Sequence, residues 1–154
     1  MEQQPGVSVD QAHRVLTIIC LALVGGVVTM AGVSVILVTS GTFPPFLGYP
    51  EAVRLGVGAF LLLLLGASYP VYRHAGGATN PDEPGGALAA FQTKVIAAMA
   101  LREFVGIAGG LLILLSRDMV LGGTLVVLSV ATMLLALPRK EDLREALQES
   151  TRRS

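Results

Sequence analysis

Length, composition and charge point to a membrane protein. The chain has 154 residues, enough for one domain; 53% of them are hydrophobic, only 14% are charged, and the mean hydropathy is +0.68. The 11 basic and 11 acidic residues balance, so no excess of charge indicates nucleic acid or an acidic substrate. The single cysteine, Cys20, rules out an internal disulfide and gives no metal-ligand spacing.

Four apolar runs are long enough to cross a bilayer. A helix needs about 20 apolar residues to span a hydrocarbon core of about 30 Å. Such runs cover residues 15–38, 55–71, 88–115 and 119–137. Lipid leaves backbone groups no partner except within a helix or a closed barrel, and four segments are too few for a barrel. The sequence therefore predicts an all-α integral membrane bundle of four transmembrane helices, in a single domain over residues 1–154.

The connections between the runs differ in character. Residues 41–50, GTFPPFLGYP, contain three prolines and three aromatic residues, which suits a short interfacial loop. Residues 74–86 are rich in Gly, Pro, Asn and Asp and predict a solvated turn region. Residues 116–118 are so few that the third and fourth helices must form an antiparallel hairpin.

The last segment has the pattern of a charged helix. Pro138 ends the fourth run, and residues 139–154 carry Leu143 and Leu147 one turn apart among charged neighbours. This narrow apolar stripe predicts a short amphipathic C-terminal helix in the cytoplasm, suited to a membrane surface or a protein partner rather than to folding alone.

The basic residues predict the orientation in the membrane. Lys and Arg are retained on the cytoplasmic side, and acidic residues contribute little. Leaving out Arg102, eight basic residues flank the N-terminus, the middle loop and the tail, and two lie on the opposite side. We therefore expect both termini in the cytoplasm. The eight are Arg14, Arg73, Lys94, Arg139, Lys140, Arg144, Arg152 and Arg153, and the two are Arg54 and Arg117.

One pair of charged residues interrupts the apolar pattern. Arg102 and Glu103 lie near the middle of the third run, in KVIAAMALREFVGIAGGLLILL. A charge at that depth costs about 2.5 to 3.5 kcal/mol on insertion scales, usually faces the bundle interior and marks a functional site by default. Neighbours on a helix diverge by about 100°, so Arg102 and Glu103 do not pair well and each needs another partner.

Small residues surround this intramembrane polar site. Gly106 and Gly110 form a GxxxG pattern, which lets helices approach closely in lipid. Gly25, Thr29 and Gly32 form a matching small face on the first helix. The simplest packing presses this face against the charged pair.

Three interpretations of Arg102 and Glu103 remain open. They form a structural clamp that fixes helix register, with the hydroxyls of Ser129 and Thr132 on the fourth helix available as partners at depth. Alternatively, Glu103 is a carboxylate that handles protons or ions. In the third interpretation, the pair binds a partner subunit or an anionic lipid.

Catalytic patterns are not found outside the apolar runs. The polar segments contain no Ser-His-Asp set, phosphate loop or paired carboxylates, and none is large enough to hold a pocket. His13 and His74 flank apolar runs without a further ligand at useful spacing. We expect no enzyme activity, no metal and no other cofactor.

Two stretches resemble a known group of proteins. FQTKVIAAMALREFVGIAGGL, from Phe91 to Leu111, and LPRKEDL, from Leu137 to Leu143, resemble small, uncharacterised bacterial membrane proteins of four helices. In that group the third helix carries a glutamate after an Ala-Leu pair, and a proline-basic motif follows the fourth. The resemblance implies the four-helix layout and brings no known activity.

A weaker resemblance is to the proteolipid rotor subunits of rotary ATPases. Glu103, Ile107 and Gly109 match the E-x-x-x-I-x-G pattern around their ion-carrying carboxylate, and chain size and helix number resemble the duplicated form. The chain departs from the family in lacking the glycine ladder of the partner helix and the arginine-polar-proline triplet of the polar loop. Arg102 beside the carboxylate would also compete with a bound cation.

These observations together give an expectation for function. We expect a non-enzymatic accessory or interaction subunit of a larger complex in a bacterial inner membrane. Its partners are membrane lipids and either other membrane subunits or further copies of itself, without nucleic acid. The alternative is a proton- or ion-handling subunit that uses Glu103.

Overall fold

The computed structural model describes residues 9–42, 48, 50–74 and 86–153. Over these residues the chain is helical and contains no strand. The helices are α1 (Val9–Thr39), α2 (Glu51–His74), α3 (Gly86–Ser116), α4 (Met119–Leu135) and α5 (Lys140–Arg153). The all-α prediction is confirmed.

Three helices have the character of membrane spans. α1, α2 and α3 are each long and apolar enough to cross a membrane, and α4 is a shorter apolar helix of 17 residues. This pattern is that of a multi-pass membrane protein. The predicted interfacial and solvated loops fall mainly on residues 43–47, 49 and 75–85, which lie outside the described part of the chain.

α1, α2 and α3 extend beyond the apolar runs, whereas α4 ends at Leu135 rather than at residue 137. α1 begins at Val9 rather than at residue 15, with Asp10 in its first turn, where a negative charge interacts favourably with the helix dipole. Ala12 is buried in these added turns. Packing against the rest of the chain therefore stabilises helix where hydropathy alone gives no signal.

α3 is the central helix of the bundle. It contacts α1, α2, α4 and α5, whereas α1 and α2 do not contact each other in the described residues. α1 and α2 thus lie on separate sides of α3, and α4 packs between them. One face of α3 is left open, with Ile96, Phe104 and Leu111 exposed.

A tight hairpin joins α3 to α4, as the sequence predicts. Arg117 has φ +57°, in the left-handed region, which reverses the chain. The Asp118 carboxylate caps α4 by accepting a hydrogen bond from the Leu121 amide at 3.0 Å. It also forms a 2.6 Å ion pair with Arg54 of α2. We call this end of the bundle the hairpin end.

α5 docks on its own bundle, which corrects the expectation that the tail lies on a lipid surface or a partner. Leu143 is 1% exposed and packs in the core between α1 and α3. Lys140 pairs with Asp10 at 3.0 Å, and His13 Nε2 lies 3.0 Å from the Pro138 carbonyl oxygen. The start of α1 and the end of α4 therefore meet at one end, which we call the tail end. The Leu147 side chain lies outside the described part of the structure.

Candidate functional site

Arg102 and Glu103 occupy different sides of α3. Arg102 is 8% exposed and reaches α2, whereas Glu103 is half-buried and lies beside α1. The ion pairs among the described residues are Arg54–Asp118 and Asp10–Lys140, so the two adjacent charges do not pair. This separation agrees with the divergence of about 100° between neighbouring helix positions.

Polar contacts at Arg102 connect three helices. Its Nε donates a hydrogen bond to Ser68 Oγ on α2 at 3.0 Å, and Nη1 lies 4.0 Å from Met99 Sδ. Ser129 Oγ on α4 donates to the Arg102 carbonyl oxygen at 2.6 Å. Arg102 and the two buried serines therefore make a polar cluster that fixes α2 and α4 against α3.

Glu103 has no such partner. In the described residues no hydrogen bond or ion pair involves its carboxylate, and a Cβ placed on Gly26 would lie 3.5 Å from its Oε1. The expected hydroxyl partners are directed elsewhere: Ser129 bonds to Arg102, and Thr132 bonds back to Leu128 O within α4. The side-chain hydrogen bonds that connect α3 to its neighbours here therefore involve Arg102 and not Glu103.

Glycines on α3 allow close approach of its neighbours. A Cβ on Gly106 would lie 2.5 Å from Val27 Cγ1 of α1 and 2.7 Å from Ser129 Oγ of α4. A Cβ on Gly110 would lie 3.2 Å from Met30 Cγ. Both residues thus lie in helix contacts, as the GxxxG pattern predicts.

The small face predicted on α1 does not pack on α3. Gly25, Thr29 and Gly32 are exposed, and a Cβ on either glycine would meet nothing within 4 Å. The physical reason is that the gaps left by glycine on α3 are filled by larger α1 side chains, Val27 and Met30. Thr29 lies about 200° around the helix from Val27, so it points away from the bundle.

The close backbone contact between α3 and α4 was not predicted. A Cβ on Gly109 would lie 2.8 Å from the Gly122 carbonyl oxygen, and a Cβ on Gly122 would lie 2.5 Å from that of Gly109. The Gly122-Gly123 pair early in the fourth run was the available signal, but it does not say which glycine faces α3.

The described residues offer no cluster of metal ligands, and two open grooves lie on the surface of the bundle. No group of three His, Cys, Asp or Glu in them is arranged to hold a metal. An open groove of about 460 Å³ runs between α2 and α4 near the hairpin end, with Arg54, Leu62, Val120 and Thr124 among its lining residues. A smaller one of about 200 Å³ lies between α2 and α3.

Comparisons with protein-family models, curated proteins and solved structures find no match to this chain. The geometry of the residues is therefore the basis for any functional assignment.

Proposed function

We propose that the protein is a non-enzymatic accessory or interaction subunit of a larger complex in a bacterial inner membrane. The main support is an uncovered region where α1 meets α3, made by Ala22 and Gly26 of α1 with Ala100 and Glu103 of α3. We call it the Glu103 border. Ala22, Gly26 and Ala100 are exposed, and Glu103 is half-buried.

Polar groups on this side have no partners among the described residues. A carboxylate removed from water among apolar groups is unfavourable unless it is paired or hydrogen-bonded. On the adjoining outer face of α1, the Thr29 hydroxyl makes no hydrogen bond within the described part of the chain, whereas Thr17 on the same helix bonds to His13 O at 2.9 Å. A neighbouring subunit that covers this side would supply the missing donors and acceptors.

A photo-crosslinking experiment in native membranes tests the proposal. A photoreactive residue at Ala22 or Ala100 should give discrete crosslinked products of defined mass. The matched control is Leu63 on α2, which is 73% exposed and faces away from the border. Equal products at all three positions, or none at the border, would contradict an interaction surface there.

We also propose that the chain crosses the membrane four times with both ends in the cytoplasm. Two features support this: the meeting of His13 with Pro138 at the tail end, and the excess of basic residues at the same end. With Cys20 replaced, a cysteine at Thr79 should react with an impermeant thiol reagent only from the cytoplasmic side. A cysteine at Gly48 should react only from outside, and the reverse labelling would overturn the orientation.

The second candidate function is proton or ion handling by Glu103. The observation that favours it is the same half-buried carboxylate, which has no hydrogen-bond or ion-pair partner among the described residues. A glutamine side chain keeps most of the shape of glutamate but cannot bind and release a proton. Loss of flux in vesicles of the reconstituted complex, with Glu103→Gln normally assembled, would favour this candidate over an interaction role. Unchanged flux and function would exclude it.

A further inference from the structure

Arg102 is a buried cation without a counter-ion in the described residues. Its guanidinium is hydrogen-bonded to the Ser68 hydroxyl, which is neutral and itself bonds to Leu65 O at 2.6 Å. The other contact is the Met99 thioether at 4.0 Å, which is a weak acceptor. No described carboxylate lies within ion-pair distance of Arg102.

An unpaired charge in this position is unfavourable. Arginine stays protonated in proteins, and a buried charge costs several kcal/mol unless an opposite charge and hydrogen bonds compensate it. A guanidinium has five N–H donors, of which the contacts to Ser68 and Met99 use two. Because no fully buried side-chain nitrogen or oxygen in the described residues lacks a hydrogen bond, the remaining donors reach the surface of the bundle.

The depth of Arg102 identifies the surroundings of these donors. At a rise of about 1.5 Å per residue, Ser68 and Arg102 both lie about 21 Å along their helices from the hairpin end. The hydrocarbon core of a bilayer is about 30 Å thick. A side chain on a helix leans toward the N-terminus, which for α3 is the tail end. Tyr69, with the Arg73 guanidinium 5.8 Å from its ring centre, occupies the same end of α2 and suits the interfacial zone. Arg102 therefore lies about 9 Å inside the tail-end boundary of such a core, a distance that snorkelling of the side chain and local thinning of the bilayer close for a charged group.

We propose that Arg102, held in place by its hydrogen bond to Ser68, binds a phosphate group at this level, supplied by a phospholipid headgroup. The planar fork of a guanidinium can donate two parallel N–H···O bonds to two phosphate oxygens. The phosphate also supplies a negative charge opposite to that of Arg102. This site goes beyond the proposed interaction role and does not depend on it, because Arg102 contacts α2 whereas the Glu103 border lies where α1 meets α3.

Lipid binding to the purified protein tests the site. We would measure the affinity for phosphatidylglycerol and for a glycolipid without phosphate by native mass spectrometry. Arg102→Gln should weaken phosphatidylglycerol binding about tenfold, and Ser68→Ala about fivefold. The matched control is Arg54→Gln, which removes a cation at the hairpin end and should leave binding unchanged. Equal binding of the glycolipid, or an equal affinity in the wild type and Arg102→Gln, would overturn the proposal.

Two further measurements separate the remaining explanations. If Arg102→Gln does not fold, Arg102→Lys keeps the charge but loses the planar fork, and it should show weakened binding with an unchanged circular dichroism spectrum. Full phosphatidylglycerol affinity in folded Arg102→Lys and Ser68→Ala would contradict the site. Inorganic phosphate should not displace the lipid at millimolar concentration, whereas displacement would assign the site to free phosphate rather than to a headgroup.

Discussion

The α3–α4 contact and the outer face of α1 both carry two glycines, but only in the first does another helix pack against them. At the α3–α4 contact, Gly109 and Gly122 each lie against the other's carbonyl oxygen. On α1, Gly25 and Gly32 are exposed and have free space around them. Glycine permits a close approach, but the residue on the facing helix decides whether one occurs.

Polar groups show the same difference between the two regions. On the α4 side of α3, Ser129 donates to the Arg102 carbonyl oxygen and is fully buried. On the α1 side, Glu103 and Thr29 have no hydrogen bond in the described residues. The α3–α4 contact thus holds the bundle together, and the α1 side retains groups that a further molecule can satisfy.

The largest expected effect comes from filling the α3–α4 contact. Gly122→Val places a branched side chain where even a Cβ would lie 2.5 Å from backbone, which cannot move without separating the helices. We expect a loss of about 3 kcal/mol in the free energy of unfolding in detergent. Gly123→Val is the matched control, because a Cβ at that position meets nothing within 4 Å. Equal losses for the two variants would show that helix propensity, not the contact, is responsible.

A smaller loss is expected at the contact between α3 and α1. Gly106→Ala adds a methyl group against the side chains of Val27 and Ser129, which can adjust more easily than backbone. We expect it to reduce the free energy of unfolding by about 1 to 2 kcal/mol. Gly106→Ala combined with Val27→Ala should regain part of this loss, because the obstructing side chain is shortened. If the double variant loses more unfolding free energy than the two single variants added together, the proposed packing of Val27 against Gly106 is wrong.

The sequence predicts the helices better than their rotations. Apolar runs, prolines and the short segment at residues 116–118 are local signals, and the helices and hairpin follow from them. The divergence of Arg102 and Glu103 was also predictable, because it follows from helix geometry alone. Which face of α1 meets α3 depends on the fit of Val27 into the gap at Gly106. That is a property of two distant segments together, and single-helix patterns carry no information on it.

The hydrogen bond from Ser129 should contribute less than the glycine contacts. Ser129→Ala removes the donor to the Arg102 carbonyl oxygen without adding volume, and we expect a loss of about 1 kcal/mol in unfolding free energy. Thr132→Val is the control, since the Thr132 hydroxyl bonds only within its own helix. If the two substitutions cost the same, the inter-helix hydrogen bond contributes nothing specific.

The smallest effect on the isolated chain is expected on the outer face of α1. Gly25→Ala and Gly32→Ala add methyl groups to open space, so each should change the free energy of unfolding of the monomer by less than about 0.5 kcal/mol. Unfolding and association should be measured separately for these variants, because the two measurements distinguish packing within the chain from contact with a partner. If a partner covers this face, the added methyl groups should reduce co-purification or crosslinking while monomer stability is unchanged, because the penalty arises only when another helix comes close. A monomer destabilised as strongly as by Gly106→Ala would mean that this face packs within the chain and that the contrast between the two regions is wrong.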